Sequence, residues 1–273
     1  MSNVLKSVIF GVIEGVTEWL PVSSTGHLII AERFVPFTGL SDGFYEAYSV
    51  IIQLGAVLSV AMLFFKRMFP FSRQADGKIL DRNILRFDFK IAVGCIPAAV
   101  AGILLDDWID KNFYSCKTVA LSLIIYGILF IIVERAKKNS VPAVDSAENI
   151  SFPTAIKVGL FQVLSLIPGT SRSGSTVMGG MLCGMSRYAA AEYSFLMAIP
   201  IMAGASAVRV ADFGFRFSFE EAVVLSVGFV AAFVVSAFTV DRLMSFVKRK
   251  TFTLFGIYRI ILGTVLIIFD FQR

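Results

Sequence analysis

Long apolar stretches dominate the chain, and six of them are long enough to cross a lipid bilayer. A bilayer-spanning helix needs about 20 apolar residues, with about 17–25 tolerated. The stretches are apolar on all sides rather than along one stripe, as lipid-facing or fully buried helices are. The predicted spans cover approximately residues 45–65, 87–105, 117–134, 189–210, 221–240 and 252–269.

Two further apolar segments, 4–34 and 153–187, are interrupted in the middle by small polar residues. The interruptions are Pro21–His27 and Pro168–Thr176, and the flanks on either side are too short to span a bilayer comfortably. Irregular backbone at membrane depth is tolerated only where protein or water surrounds it. The pattern therefore predicts two re-entrant helix–loop–helix pairs.

The charges of the connecting loops predict the topology. Three basic segments are expected in the cytoplasm and two acidic segments outside, because positive loops stay on the cytoplasmic side. The basic segments are 66–90, 135–138 and 242–250, and the acidic ones are 106–116 and 211–220. For the loops to lie on these sides, residues 153–187 must enter and leave the membrane on the cytoplasmic side, and residues 1–40 must dip in from the external side.

We predict a single all-α polytopic membrane domain built as an inverted repeat. Its halves are approximately residues 1–135 and 153–273, joined by a cytoplasmic linker at 136–152. Each half holds one re-entrant pair and three spans, and because three is odd the second copy is upside down. Such repeats bring interrupted helices together near the midplane. The two polar interruptions are therefore expected to face each other.

Composition agrees with a membrane protein. Only 16% of the 273 residues are charged, against about 25% in soluble domains, and the mean hydropathy is +0.78. The net charge of +5 comes from basic residues beside the apolar spans, so we expect membrane lipid and no nucleic acid as a partner. His27 is the only histidine and no C-x-x-C pair occurs, which excludes a His-rich zinc site.

Glu14 and Glu18 lie four residues apart, on one face of the first re-entrant helix. Buried carboxylates in a membrane are costly and are usually functional or paired. Two of them one helical turn apart suit a divalent cation with oxygen ligands, either Mg²⁺ or Ca²⁺. The alternative is a structural hydrogen bond to a neighbouring helix.

Ser23, Ser24, Thr25 and His27 follow directly. Hydroxyls and backbone N–H groups at the start of a helix form an anion site. His27 is three residues after Ser24, so it is expected to act as a base for Ser24 or to protonate a leaving group. The alternative is an N-capping serine near a polar histidine.

The second interruption places Arg172 among hydroxyls and glycines. The guanidinium group matches phosphate oxygens bidentately, and at midplane depth it requires an anionic partner. Pairing with Glu14 or Glu18 alone is the alternative, and the two interpretations are compatible. For Arg259, inside the sixth predicted span, we expect a structural role, at the cytoplasmic face or beside a buried acid.

Glu14–His27 and Pro168–Thr176 resemble the two signature segments of the undecaprenyl-pyrophosphate phosphatases of the bacitracin-resistance type. The resemblance extends to Ile52–Gly55, to Met185–Ala190 and to the overall length. It implies an enzyme of the bacterial inner membrane that hydrolyses a C55 polyprenyl pyrophosphate to the monophosphate and phosphate. It also implies a divalent cation and an active site open to the external side.

The site residues implied by the resemblance combine with those chosen above. The expected catalytic residues are Glu14, Glu18, Ser24, His27 and Arg172, and the expected metal ligands are Glu14 and Glu18. The expected substrate-binding residues are Ser23, Thr25, Ser171, Ser173 and Thr176. Either Ser24 or water is the nucleophile, and a homodimer is a candidate assembly.

A transporter is the alternative from another class. Inverted repeats with interrupted helices meeting at the midplane are a transporter design, and a flippase for an anionic lipid phosphate would use Arg172 equally well. The glutamates and the serine–histidine pair favour hydrolysis, because a carrier gains little from carboxylates beside an anion.

Overall fold

A computed structural model describes residues 1–71, 80–214 and 217–270 of the chain. Parts of the predicted basic segment 66–90 and acidic segment 211–220 lie outside the described residues. The named elements are helices, in chain order α1 Asn3–Thr17, α2 Ser24–Phe34, α3 Phe44–Leu63, α4 Phe65–Met68, α5 Arg82–Phe113, α6 Cys116–Lys137, α7 Phe152–Val163, α8 Arg172–Leu182, α9 Arg187–Phe213, α10 Phe219–Val247 and α11 Thr253–Asp270.

Among the residues that the structure describes, five helical segments are long and apolar enough to cross a membrane. They are Phe44–Leu63, Arg82–Leu105, Cys116–Lys137, Arg187–Ala211 and Phe219–Val247. These segments match the first five predicted spans and confirm the all-helical polytopic class. The sixth predicted span falls on α11, which is apolar but shorter.

Both polar interruptions separate short helices. In the first segment α1 has 15 residues and α2 has 11; in the second, α7 has 12 and α8 has 11. An 11-residue helix is about 16 Å long, roughly half the hydrocarbon thickness of a bilayer. Neither α2 nor α8 is therefore long enough to cross a bilayer.

The helices pack in two matching arrangements. Helix α1 packs on α10, and α7 packs on α5. Both contacts are close backbone approaches between glycines: a Cβ on Gly11 would collide with the carbonyl oxygen of Gly228, and one on Gly159 with that of Gly94. The hydroxyl groups of Tyr48 and Tyr193 lie against Gly228 and Gly94, respectively. Small residues allow such close helix packing in membranes, where apolar burial gives little driving force.

The remaining long helices complete a frame around α8. Helices α3 and α9 pack on each other, α6 packs on α11, and α8 packs on α7 and α9. Every residue from Ser173 to Met181 is buried. The helix that follows the second interruption therefore lies inside the protein.

Candidate functional site

The two interruptions meet, as the sequence predicts. Nη2 of Arg172 donates to Oε1 of Glu18 at 2.8 Å. The hydroxyl of Ser173 lies within reach of the carbonyl oxygens of Glu18 at 3.1 Å and Leu20 at 3.2 Å. Residues about 150 positions apart in the chain thus form one site.

Arg259 fastens both interruptions from α11. It is fully buried, and it donates to the carbonyl oxygens of Pro21 at 3.1 Å and of Gly169 and Thr170 at 2.9 Å each. Its structural role agrees with the expectation, but the partners do not. It is buried and, within the part of the chain that the structure describes, forms no ion pair with an acid; its charge is met by backbone carbonyls of both loops.

The helices after the two interruptions start in the same unusual way. Ser23 and Ser171 cap α2 and α8 with φ angles of 72° and 75°, in a region that side-chain-bearing residues rarely adopt. Each hydroxyl accepts from the N–H of the glycine three residues later, Gly26 at 3.3 Å and Gly174 at 3.1 Å. Such strain costs of order 1–3 kcal/mol at each residue and is concentrated at functional sites.

Glu18 is the centre of the cluster. Its Oε2 accepts from the Ser24 hydroxyl at 2.6 Å, while its Oε1 is held by Arg172 at 2.8 Å. Both Glu18 and Ser24 are buried. The Glu18 carboxylate therefore links the Ser24 hydroxyl of the first loop to the Arg172 guanidinium of the second loop.

The Arg172 side chain does not use all of its hydrogen-bond donors among the described residues. Nη1 donates to the carbonyl oxygen of Ser194 at 2.8 Å, and the guanidinium carbon lies 5.5 Å from the ring centroid of Trp19. Nε is buried and has no hydrogen-bond partner among the described residues. The Arg172 side chain as a whole is 12% exposed and lines the cavity, so an anion in the cavity would meet the guanidinium.

The carboxylate of Glu14 also accepts no hydrogen bond from the described residues. Its side chain is completely buried, and neither carboxylate oxygen has a hydrogen-bond partner among the described residues. An unpaired buried carboxylate is one of the most costly arrangements in a protein. A ligand that binds both carboxylate oxygens would remove that cost.

The ring nitrogens of His27 contact groups other than the Ser24 hydroxyl that its spacing suggests. Its Nδ1 contacts the carbonyl oxygen of Ser23 at 2.7 Å, and its Nε2 contacts the Tyr258 hydroxyl at 2.7 Å. The Ser24 hydroxyl bonds to Glu18 instead. In this arrangement His27 supports the strained Ser23 and does not touch the hydroxyl of Ser24.

The remaining predicted residues fall into two groups. Thr25 and Ser171 line a cavity between the loops, whereas Thr176 turns away from it and bonds the carbonyl oxygen of Arg172 at 2.9 Å. The full lining of the cavity is Glu18, Ser23, Ser24, Thr25, Gln53, Ser165, Pro168, Gly169, Ser171, Arg172 and Met202.

Four contributors to the site were not chosen from the sequence. Ser165, Gln53 of α3 and Met202 of α9 line the cavity, and Ser194 of α9 holds Arg172. An amide inside an apolar span, such as that of Gln53, usually serves helix–helix hydrogen bonding, so its position alone does not indicate a site. Ser194 and Met202 carry no signal, since serine and methionine are common in apolar helices.

The acidic residues at the site fit a hard cation only in combination with other oxygens. Among the described residues no group of three or more His, Cys, Asp or Glu side chains is arranged to hold a metal ion. Glu14 offers two unpartnered oxygens, and both oxygens of Glu18 already accept hydrogen bonds. Hydroxyl, water or phosphate oxygens would have to complete the shell that Mg²⁺ or Ca²⁺ needs.

Fold and site together define a polytopic helical membrane protein with a buried cluster of two arginines, two glutamates and several hydroxyls at the meeting point of two interrupted helices. The family model described as "Bacitracin resistance protein BacA" matches residues 7–265. The chain belongs to the BacA family, and the resemblance of its two signature segments is confirmed.

Curated relatives cover nearly the whole chain. A protein of Enterococcus faecalis named undecaprenyl-diphosphatase is 44% identical over 267 residues, which are 97% of this chain and 96% of the relative. One of the same name from Acetivibrio thermocellus is 45% identical over 269 residues, 98% of each chain. A third, from Streptococcus mutans, is 44% identical over 276 residues, 99% of this chain and 97% of the relative.

Proposed function

We propose that the chain is an integral membrane phosphatase that hydrolyses undecaprenyl pyrophosphate to undecaprenyl phosphate and inorganic phosphate. By this reaction it recycles the lipid carrier of peptidoglycan synthesis and confers bacitracin resistance. The observation that carries the proposal is the Glu18 carboxylate, which bonds the Ser24 hydroxyl of one loop and the Arg172 guanidinium of the other. The names of the curated relatives support the choice of substrate.

The cavity suits a pyrophosphate headgroup. Arg172 supplies a permanent positive charge, and the starts of α2 and α8 supply backbone N–H groups beside the hydroxyls of Ser24, Thr25 and Ser171. Helix N-termini and arginine forks are the two most common protein devices for binding phosphate. The apolar tail would remain in lipid or between the helices.

The reaction is an in-line attack on the terminal phosphorus that breaks its bond to the bridging oxygen. Ser24 is in place as the attacking group, because its hydroxyl already donates to Glu18, which would accept the proton. Water would then hydrolyse the phosphoserine. If water instead attacks directly, Ser24 positions the phosphate and no phosphate is trapped on it. Arg172 stabilises the charge that develops on the phosphoryl oxygens.

A divalent cation would be held by Glu14, with Glu18 and substrate oxygens completing the shell. Support comes from the two buried and unpartnered oxygens of Glu14. When bound, Mg²⁺ or Ca²⁺ supplies positive charge that polarises the phosphoryl oxygens. The chain's own part is to keep these carboxylates dry and one helical turn apart.

We place the protein in the bacterial inner membrane, with α1–α2 and α7–α8 as re-entrant pairs and α11 as the sixth span of an inverted repeat. Two observations support this arrangement. The first helix of each re-entrant pair packs on a long helix of the other half, α1 on α10 and α7 on α5. The second helix of each pair begins at a capping serine with a positive φ angle, Ser23 or Ser171. The ion pair of Arg67 with Glu192 joins α4 to the start of α9 on the predicted cytoplasmic side, whereas the cavity is lined by Met202, further along the same helix. We therefore infer that the cavity opens externally.

Replacing Glu14 with Gln tests the function and its cation together. We expect wild-type protein in detergent to release phosphate from C55 pyrophosphate in Mg²⁺ and to stop with chelator. Glu14→Gln should raise the Mg²⁺ concentration for half-maximal activity roughly 10-fold or more, since a ligand charge is lost. Its thermal stability without metal should be equal or higher, because the unpaired buried charge is gone.

The exposed Glu148 provides the matched control. Glu148→Gln removes the same charge and should leave the Mg²⁺ dependence unchanged. An unaltered Mg²⁺ dependence in Glu14→Gln would remove Glu14 from the cation site. No phosphate release by wild-type protein in any divalent cation would refute the phosphatase itself.

A further inference from the structure

We propose that Ser194 of α9 is a positioning residue that aims the guanidinium of Arg172 at the substrate phosphate. The inference rests on the proposed function and adds a residue that the cavity lining does not contain. Ser194 is fully buried, with a relative exposure of 0%, so it acts through Arg172 rather than on the substrate.

The contacts of Ser194 form a closed ring with Arg172 and Thr176. Nη1 of Arg172 reaches the Ser194 hydroxyl at 3.3 Å in addition to the Ser194 carbonyl oxygen at 2.8 Å. The Ser194 hydroxyl lies 2.6 Å from that of Thr176. The Thr176 hydroxyl is 2.9 Å from the carbonyl oxygen of Arg172 itself.

One assignment of protons satisfies every bond of the ring. A guanidinium only donates, so Ser194 Oγ accepts from Arg172; a carbonyl only accepts, so Thr176 donates to the Arg172 carbonyl. Each hydroxyl has a single proton, and the Ser194 proton therefore goes to Thr176 Oγ1. Donors aligned head to tail in this way reinforce one another.

The ring fixes which edge of Arg172 faces the site. Ser194 occupies Nη1, while Nη2 points to Glu18 and Nε has no partner among the described residues. The edge formed by Nε and Nη2 can bind two phosphate oxygens side by side. Without Ser194 Oγ, Nη1 would keep only its bond to the Ser194 carbonyl oxygen, and the orientation of the guanidinium would rest on that bond and on the bond of Nη2 to Glu18.

The test is a double-mutant cycle on Ser194 and Thr176. We expect Ser194→Ala to lower kcat for C55 pyrophosphate about 10-fold and to raise KM about 10-fold, a combined loss of about 100-fold in kcat/KM that lies in the range for a hydrogen bond to a charged group. Because Ser194 and Thr176 act in one ring, Ser194→Ala together with Thr176→Val should be no worse than the worse single variant. If Ser194 served only in packing, Ser194→Ala would lower the unfolding temperature, and its effect on kcat would be the same whether or not Thr176 had been replaced.

Ser206 is the matched control, since it is a buried serine on the same helix that bonds the carbonyl oxygen of Val50. Ser206→Ala should keep wild-type kcat. The inference is overturned if Ser194→Ala also keeps wild-type kcat, or if the two losses multiply in the double variant.

Binding of a prenyl methylenediphosphonate, which cannot be hydrolysed, separates this inference from the phosphatase proposal. About 10-fold weaker binding by Ser194→Ala than by Ser206→Ala supports the positioning role, even if the wild type hydrolyses nothing. Equal binding by the two variants contradicts it.

Discussion

Replacing Arg172 with Lys is expected to lower kcat/KM for C55 pyrophosphate roughly 10²-fold or more while the protein stays folded. Lysine keeps the positive charge, but it has neither the planar fork nor a second nitrogen to bond Ser194 while the first faces Glu18. A misaimed charge clamp loses transition-state stabilisation of the size seen when one oxyanion donor is removed. Initial rates of phosphate release over a range of substrate concentrations give the value.

Arg242 is a suitable control because it is an exposed arginine on α10. Arg242→Lys should leave both kcat and KM unchanged. If Arg172→Lys retained wild-type activity, one point charge would be sufficient, and the argument from guanidinium geometry would be wrong.

Replacing Arg259 with Met is expected to produce the largest loss of stability among single substitutions at this site. Three carbonyl oxygens from the two loops, those of Pro21, Gly169 and Thr170, would lose their buried donor. Each unsatisfied buried polar group costs about 1–3 kcal/mol. The loss should therefore reach about 3 kcal/mol or more, and activity should fall with it because the two loops separate.

Thermal unfolding in detergent measures this effect, with Arg242→Met as the exposed comparison. Arg259→Lys should lie between Met and wild type, since an ammonium group can reach some of the carbonyl oxygens but not all. If Arg259→Met unfolded at the same temperature as the wild type, the two loops would be held together by other contacts.

The meeting of the two polar interruptions could be predicted from the sequence because it depends on element order and loop charge. The interruption of two apolar segments and the alternation of basic and acidic loops predict which segments share a side of the membrane. Pairing of Arg172 with Glu18 was also foreseeable, since a cation at this depth needs an anion.

The partner of Ser24 was not predictable in the same way. Ser24 and His27 both belong to α2, but the ring nitrogens of His27 contact the Ser23 carbonyl oxygen and the Tyr258 hydroxyl, and neither contact is specified by the spacing. The left-handed backbone at Ser23 turns the chain there, so the Ser24 hydroxyl faces back to Glu18. Serine gives no sign of a left-handed conformation, which is usually occupied by glycine.

Arg259 and Ser194 show a second limit. Arg259 was noticed as a charge inside an apolar span, but its partners are backbone carbonyls, which have no identity in a sequence. Ser194 bonds Arg172 across 22 positions and between two helices. Contacts of this kind depend on how α8 packs on α9, and periodicity does not determine that packing.

Hydrolysis rather than transport is the central claim, and the fate of C55 pyrophosphate in sealed vesicles tests it most directly. The protein is reconstituted with substrate labelled in the terminal phosphate, and both inorganic phosphate and intact lipid pyrophosphate are measured in Mg²⁺. The account predicts one phosphate released for each pyrophosphate consumed, with undecaprenyl phosphate left in the membrane. Movement of intact lipid pyrophosphate between leaflets with no phosphate released would contradict it and would make the protein a carrier.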